Sequence, residues 1–179
     1  NAIQILNLGV FDFGGDGLNA AHTVTLFTNS GGTYLPIAGG TTTVPSGTAA
    51  PFAKGFRFAP LPEALTLPAG RYAVIAYQMN GRNGTNSSDA YGEANATSFN
   101  GDGYVTDDGF TPYEFTTAAS PSYPNSGASV NLACASFDYA PASGVASQTV
   151  AFTASTSGPY GANANNSGLN IGNIFTVSG

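Results

Sequence analysis

The chain has 179 residues, 42% of them hydrophobic, yet only 8% are Asp, Glu, Lys or Arg, and its net charge is −6. That length suits one domain able to bury a two-layer core. A charged fraction far below the roughly 25% of ordinary soluble domains leaves the surface to Ser, Thr, Asn and backbone. Four basic residues, Lys54, Arg57, Arg71 and Arg82, cannot build the basic stripe that nucleic acid requires, and no run of about 18 apolar residues exists to span a bilayer as a helix.

The chain begins at Asn1 with no charged n-region or apolar h-region, as in a mature protein or an excised piece. Asn1 to Asp12 reads as a first strand, with a change of phase near Leu6-Asn7 that marks a bulge. A glycine-rich loop follows, Asp12-Phe-Gly-Gly-Asp16-Gly17, and then a second strand from His22 to Asn29. Ser30-Gly-Gly-Thr33 has hairpin-turn chemistry. Thr33 to Ile37 returns as a third strand, and Thr41–Val44 reads as a separate edge strand. In Pro51 to Pro60 the residues Phe52, Lys54, Phe56 and Phe58 fall on one side, which places Lys54 at a strand end. Leu65-Thr-Leu67 is short. Arg71 to Met79 is apolar almost throughout, as expected of a central strand covered on both faces.

From Asn80 to Pro124 the composition changes. Six of the ten acidic residues (Asp89, Glu93, Asp102, Asp107, Asp108 and Glu114) lie here among Asn-Gly and Asn-Ser steps. This segment reads as a long loop insertion outside the core, with at most short strands at Gly103–Thr106 and Tyr113–Thr117. Strand alternation returns over Ser129–Ala140, Ser147–Ser155 and Ile171–Val177. No segment has helical periodicity over ten or more residues. The fold expected is all-β: a single antiparallel β-sandwich, jelly-roll-like, spanning 1–179.

Three stretches, LGVFDFGGDGLNAAHTVTLFTNSGGTYL, GFRFAPLPEALTLPAGRYAVIAYQ and the late SGPYGANANN, resemble a group of exported bacterial β-sandwich proteins that carry a PEP-CTERM sorting signal. The sorting signal itself is absent here. The resemblance implies an extracellular, cell-surface or matrix location and implies no catalytic residue.

Little in the sequence points to catalysis. His22 is the only histidine; it stands beside Thr23 without a Gly-x-Ser-x-Gly elbow and without an acid spaced to support it. Asp12, Asp16, Glu63, Glu93 and Glu114 could each serve as a glycosidase carboxylate, but no spacing singles out a facing pair. The single cysteine, Cys134, alternates with Val130 and Leu132 and reads as a small core residue. No enzyme is expected.

Calcium is the better chemical candidate. Asn100, Asp102, Asp107 and Asp108 offer oxygen ligands at alternate positions around Gly103, as in the middle of an EF-hand-like loop. Ser98 and Gly109 stand where that pattern has carboxylates. Asp12 and Asp16 form a looser second candidate. For carbohydrate, Tyr104, Tyr113, Tyr123 and Tyr160 fall in loops, where a tyrosine is less simply explained as core. Asn83, Asn86, Asn95 and Asn165 open N-glycosylation tripeptides.

Two functions are expected from this reading. One is a non-catalytic secreted surface or matrix protein that associates with itself; the other is a carbohydrate-binding module acting on surface polysaccharide. Few charges oppose contact between copies, and Thr41–Val44 and Ile171–Val177 lack the lysines that guard sheet edges. The apolar terminal segments Ala2–Leu8 and Ile171–Val177 could complete a neighbour's sheet, or they could pair within their own sandwich.

Overall fold

A computed structural model describes residues 1–79, 89, 97–99, 102–115, 122–129, 132, 134–143, 149–154 and 169–179. The strands in chain order are β1 (Ala2–Phe11), β2 (His22–Ser30), β3 (Thr33–Val44), β4 (Phe52–Ala53), β5 (Phe56–Pro68), β6 (Gly70–Met79), β7 (Thr97–Phe99) and β8 (Val105–Asp107). They continue as β9 (Thr111–Phe115), β10 (Ser126–Ala128), β11 (Ala135–Pro141), β12 (Thr149–Val150), β13 (Phe152–Ala154) and β14 (Leu169–Val177). Two antiparallel sheets pack face to face as a β-sandwich: one runs β12-β11-β1-β5-β4, the other β10-β9-β14-β6-β2-β3, with β8 also pairing β14. A small third pair joins β13 to β7.

The first strand shows how the sequence places the core. Ile3, Ile5, Leu8 and Val10 are all buried, and the step from Ile5 to Leu8 skips a beat because the register shifts between Ile5 and Asn7. Without that bulge Leu8 and Val10 would face outward, since a one-residue slip flips every following side chain. Asp138 of β11 takes up the slack: it accepts from the Asn7 amide N–H at 3.0 Å and from the Asn7 side chain at 2.7 Å. The bulge expected at Leu6-Asn7 is there.

The β2–β3 turn also follows its sequence. Gly31 and Gly32 have φ of 61° and 92°, the left-handed pair that a two-residue hairpin turn demands. Beyond it, β3 differs from expectation. The two segments Thr33–Ile37 and Thr41–Val44 are one strand, carried through Gly39-Gly40 by a wide register shift opposite Leu26, from Phe27↔Pro36 to Thr25↔Thr41.

Another difference lies at Lys54. It is not at the end of a single Pro51–Pro60 strand. Lys54 and Gly55, with φ of 53° and 90°, turn the chain between β4 and β5. The aromatic stripe is split as a result: Phe56 and Phe58 enter the core, while Phe52 is 44% exposed.

The central strand is β6, between β14 and β2. Its inward face, Tyr72, Val74 and Ala76, joins the inter-sheet core, and its outward face, Ala73, Ile75 and Tyr77, joins a second apolar cluster. Near its end Gln78 has a left-handed φ of 60°, so Met79 rather than Gln78 is the next residue in the core.

Both chain ends are interior strands. β1 lies between β5 and β11, and β14 lies between β6 and β9. Of the two alternatives for the terminal segments, pairing within the same sandwich is the one observed, and Ile171–Val177 is not an edge. The 80–124 segment is not wholly outside the core either. β8 and β9 both pair with β14, and Val105 is buried among the core residues. Without these strands the side of β14 away from β6 would present unpaired backbone groups.

Candidate functional site

Among the described residues the longest sheet edge is β3. It is hydrogen-bonded to β2 on one side and is the last strand of its sheet on the other. None of its twelve residues is charged. At its far end the Thr42 hydroxyl donates to the Pro60 carbonyl at 2.8 Å, tying that half of the edge to the facing sheet. Toward the hairpin, Thr33, Leu35, Pro36 and Ala38 are exposed, Leu35 by 50%. The remaining sheet-end strands among the described residues, β4, β10 and β12 of the two large sheets and both strands of the β7–β13 pair, are two or three residues long.

Next to this edge, on the outer face of the same sheet, sits the second apolar cluster. Phe27, Ala73, Ile75, Tyr77 and Ile174 form its buried part, and Tyr34, Phe110 and Tyr123 pack over them. Tyr34 and Tyr123 stack with ring centroids 4.1 Å apart and planes 4° apart. Phe27 meets Tyr123 edge-on at 5.7 Å. The Tyr77 hydroxyl donates to the Ser122 carbonyl at 3.2 Å, which fastens the chain around Tyr123 onto the sheet.

Among the described residues the acidic candidates for calcium do not converge. Asp102 accepts from the Tyr104 amide at 3.0 Å and Asp107 from the Gly109 amide at 3.0 Å, each closing its own turn. Asp108 forms an ion pair with Arg71 and accepts from the Thr176 hydroxyl at 3.0 Å. Asp12 is buried against Arg57, with Nε to Oδ2 at 2.6 Å, whereas Asp16 is exposed. Among the described residues no group of three or more His, Cys, Asp or Glu side chains is placed to hold a metal. Asn100 lies outside the described residues, as do Asn83, Asn86, Asn95 and Asn165.

Of the tyrosines expected in loops, Tyr113 stands on strand β9, and Tyr104, Tyr113 and Tyr123 are all partly buried. Tyr104 and Tyr113 pack against the inter-sheet core, and Tyr123 gives one ring face to Tyr34. Tyr160 lies outside the described residues. A sugar platform needs open ring faces, and at Tyr123 one face is already covered.

Two buried ion pairs went unseen in the sequence. Arg57 donates from Nε to Asp12, from Nη1 to the Thr48 and Ala50 carbonyls at 3.0 and 2.9 Å, and from Nη2 to the Gly15 carbonyl at 3.0 Å. The Phe52 ring lies over the guanidinium, 5.2 Å from its carbon. This one side chain therefore fastens the Asp12–Gly17 loop, the chain before β4 and the β4–β5 hairpin together. Burial raises the Asp12 carboxyl above its ordinary range, against the opposing pull of Arg57 and of the Gly17 amide. The second pair is His22 with Asp89 at 2.7 Å. The acid that no local spacing could supply comes from a residue 67 positions away.

Both His22 ring nitrogens are engaged, Nδ1 by the Tyr77 carbonyl and Nε2 by Asp89. Neither remains to take a proton from a nucleophile, as a general base must. Cys134 is fully buried, and burial pushes its thiol up to about 12, far from the thiolate that reactivity requires.

No family model matches the chain, and neither a curated protein nor a solved structure matches it.

Proposed function

We propose that the chain is a non-catalytic structural protein of an extracellular surface or matrix, and that its copies associate through the β3 edge. The observation that carries this reading is the uncharged terminal strand β3, twelve residues long, with Leu35 half exposed. Such an edge presents backbone donors and acceptors to a second strand; Pro36, which has no N–H, and the register shift at Gly39-Gly40 interrupt that row, but the lysines that also guard natural edges are absent. Here the route is a strand added at β3 rather than an exchange of the terminal segments, because β1 and β14 are interior strands. The low charge of the whole chain acts in the same direction, by weakening repulsion between copies.

Sedimentation velocity across a concentration series tests the association. The wild-type chain is expected to move from monomer to larger species as concentration rises. The Leu35→Lys, Ala38→Lys double variant should stay monomeric and melt at the wild-type temperature, since both side chains point to solvent. A wild-type chain that remains monomeric at every concentration would sink the proposal. Retardation of the monomer on polysaccharide gels, unchanged by the lysines, would favour a carbohydrate-binding module instead.

A further inference from the structure

We propose that Tyr34 and Tyr123 form a site of oxidative cross-linking, at which a peroxide-driven one-electron oxidant joins the two rings by a carbon–carbon bond. Their rings are near-parallel with centroids 4.1 Å apart, so the two phenols face one another with no other group between them. Neither ring is sealed in: both are only partly buried, so a surface oxidant can withdraw an electron from the stack.

Three further observations favour this pair. First, two rings stacked this closely with their planes nearly parallel set ring carbons of one over ring carbons of the other, and a phenoxyl radical carries spin on the carbons ortho to its hydroxyl. Second, among the described residues no third residue hydrogen-bonds the Tyr34 hydroxyl, which interacts with the Tyr123 phenol itself, so tilting that ring toward Tyr123 breaks no hydrogen bond to another part of the protein. Third, among the described residues the other ring against Tyr123 is Phe27, edge-on, which has no phenol to oxidise. Tyr77, the remaining phenol of the cluster, is almost fully buried and donates to Ser122.

The chemistry balances with one peroxide. Each tyrosine loses one electron and its phenolic proton to give a phenoxyl radical. The two radicals couple through an ortho carbon of each ring. Each ring then returns its ring proton to the phenolic oxygen and is aromatic again. The protein loses two hydrogen atoms in all, and hydrogen peroxide takes up both electrons and both protons as two waters. The product would tie the β3 hairpin to the 122–125 stretch across the outer face of the sheet. The link is within one chain and does not rest on self-association.

The test uses the purified chain as a dilute monomer, with a haem peroxidase and limiting hydrogen peroxide, followed by peptic digestion and mass spectrometry. A linked peptide pair containing Tyr34 and Tyr123, lighter by two hydrogen atoms, is expected. Its rate of formation should not depend on protein concentration. Tyr34→Phe and Tyr123→Phe keep the stack but should each lower the yield of biphenol fluorescence by about ten-fold or more, because only pre-positioned phenols couple efficiently. The linked protein should also melt at a higher temperature than the untreated one. A chain in which no Tyr34–Tyr123 pair forms, or in which it forms no faster than in urea-unfolded protein, overturns the proposal.

Discussion

His22 and Asp89 face each other across 2.7 Å with both side chains buried, and that contact fixes the start of β2. The Tyr77 carbonyl can only accept, so His22 Nδ1 donates to it at 2.9 Å. The Asp89 carboxylate accepts from Nε2. Asp89 also accepts from the Asn19 and Ala20 amides at 2.7 and 3.0 Å, so one carboxylate gathers the turn before β2 and the histidine at its first position.

Acid should therefore act on Asp89. Burial by itself would raise this carboxyl, but hydrogen bonds from His22 and from the Asn19 and Ala20 amides, with the charge of His22, outweigh it and hold the group below its ordinary value of 3.8. A depressed folded-state value stabilises the protein while the group is ionised. The contribution is complete above 3.8 and is lost as pH falls through the lower folded value. Asp89→Ala should cost about 3–5 kcal/mol near neutrality, because it strands a buried partner. The gap between wild type and variant in urea unfolding should narrow below the ordinary carboxylate value; a gap of constant size down to strong acid would contradict this account.

Arg57 is the side chain whose removal should damage the sandwich most widely. Its guanidinium makes four hydrogen bonds to two segments, the Asp12–Gly17 loop and the chain before β4, while almost fully buried. Arg57→Met removes the bonds to three carbonyls and leaves Asp12 without its cation, an expected loss of about 3–5 kcal/mol. Arg57→Lys should rescue little, since an ammonium cannot reproduce the planar fork. In a double-mutant cycle Arg57→Met with Asp12→Ala should cost less than the sum of the single changes. Strict additivity of the two would show that the pair does not act as a unit.

Much of the sandwich was readable because the chain keeps period-2 alternation wherever one face is buried. Ile3, Ile5, Leu8 and Val10 even disclose their own bulge. Local chemistry identified the Gly31-Gly32 hairpin for the same reason. Contacts that depend on distant residues were not readable: nothing near His22 announces Asp89, and nothing near Arg57 announces Asp12. The stack of Tyr34 on Tyr123 is of the same kind. Tyr123 could be singled out as a loop aromatic, but Tyr34 looked like any tyrosine on a strand. An aromatic residue on the outward-facing set of an edge strand is the one signal that would have marked it.

The acids between Asp102 and Asp108 are committed to the protein itself, and calcium would have to compete for them. Asp102 and Asp107 each close a turn, and Asp108 is held by Arg71 and Thr176. Melting curves in calcium and in chelator are expected to coincide, since an ion selective for the native state would raise the apparent stability. Arg71 is 51% exposed, so Arg71→Gln should cost no more than about 1 kcal/mol. A melting temperature raised by calcium and lost in Asp102→Asn would return this turn to a metal role.

Lys54 offers the opposite kind of test, a change that should stabilise. Its φ of 53° is left-handed, and Gly55 follows at 90°, so both turn positions have the positive φ of a tight hairpin. A side chain with a Cβ is strained in this region by roughly 1–2 kcal/mol, whereas asparagine tolerates it better. Gly55 itself is irreplaceable, because a Cβ there would run into the Ala154 carbonyl oxygen. Lys54→Asn keeps that glycine and supplies the preferred partner before it. It should raise stability by about 0.5–1 kcal/mol, a shift that urea unfolding can resolve. Gly55→Ala should destabilise by more than this. If Lys54→Asn lowered stability instead, the lysine would owe its place to some contact other than the geometry of the turn.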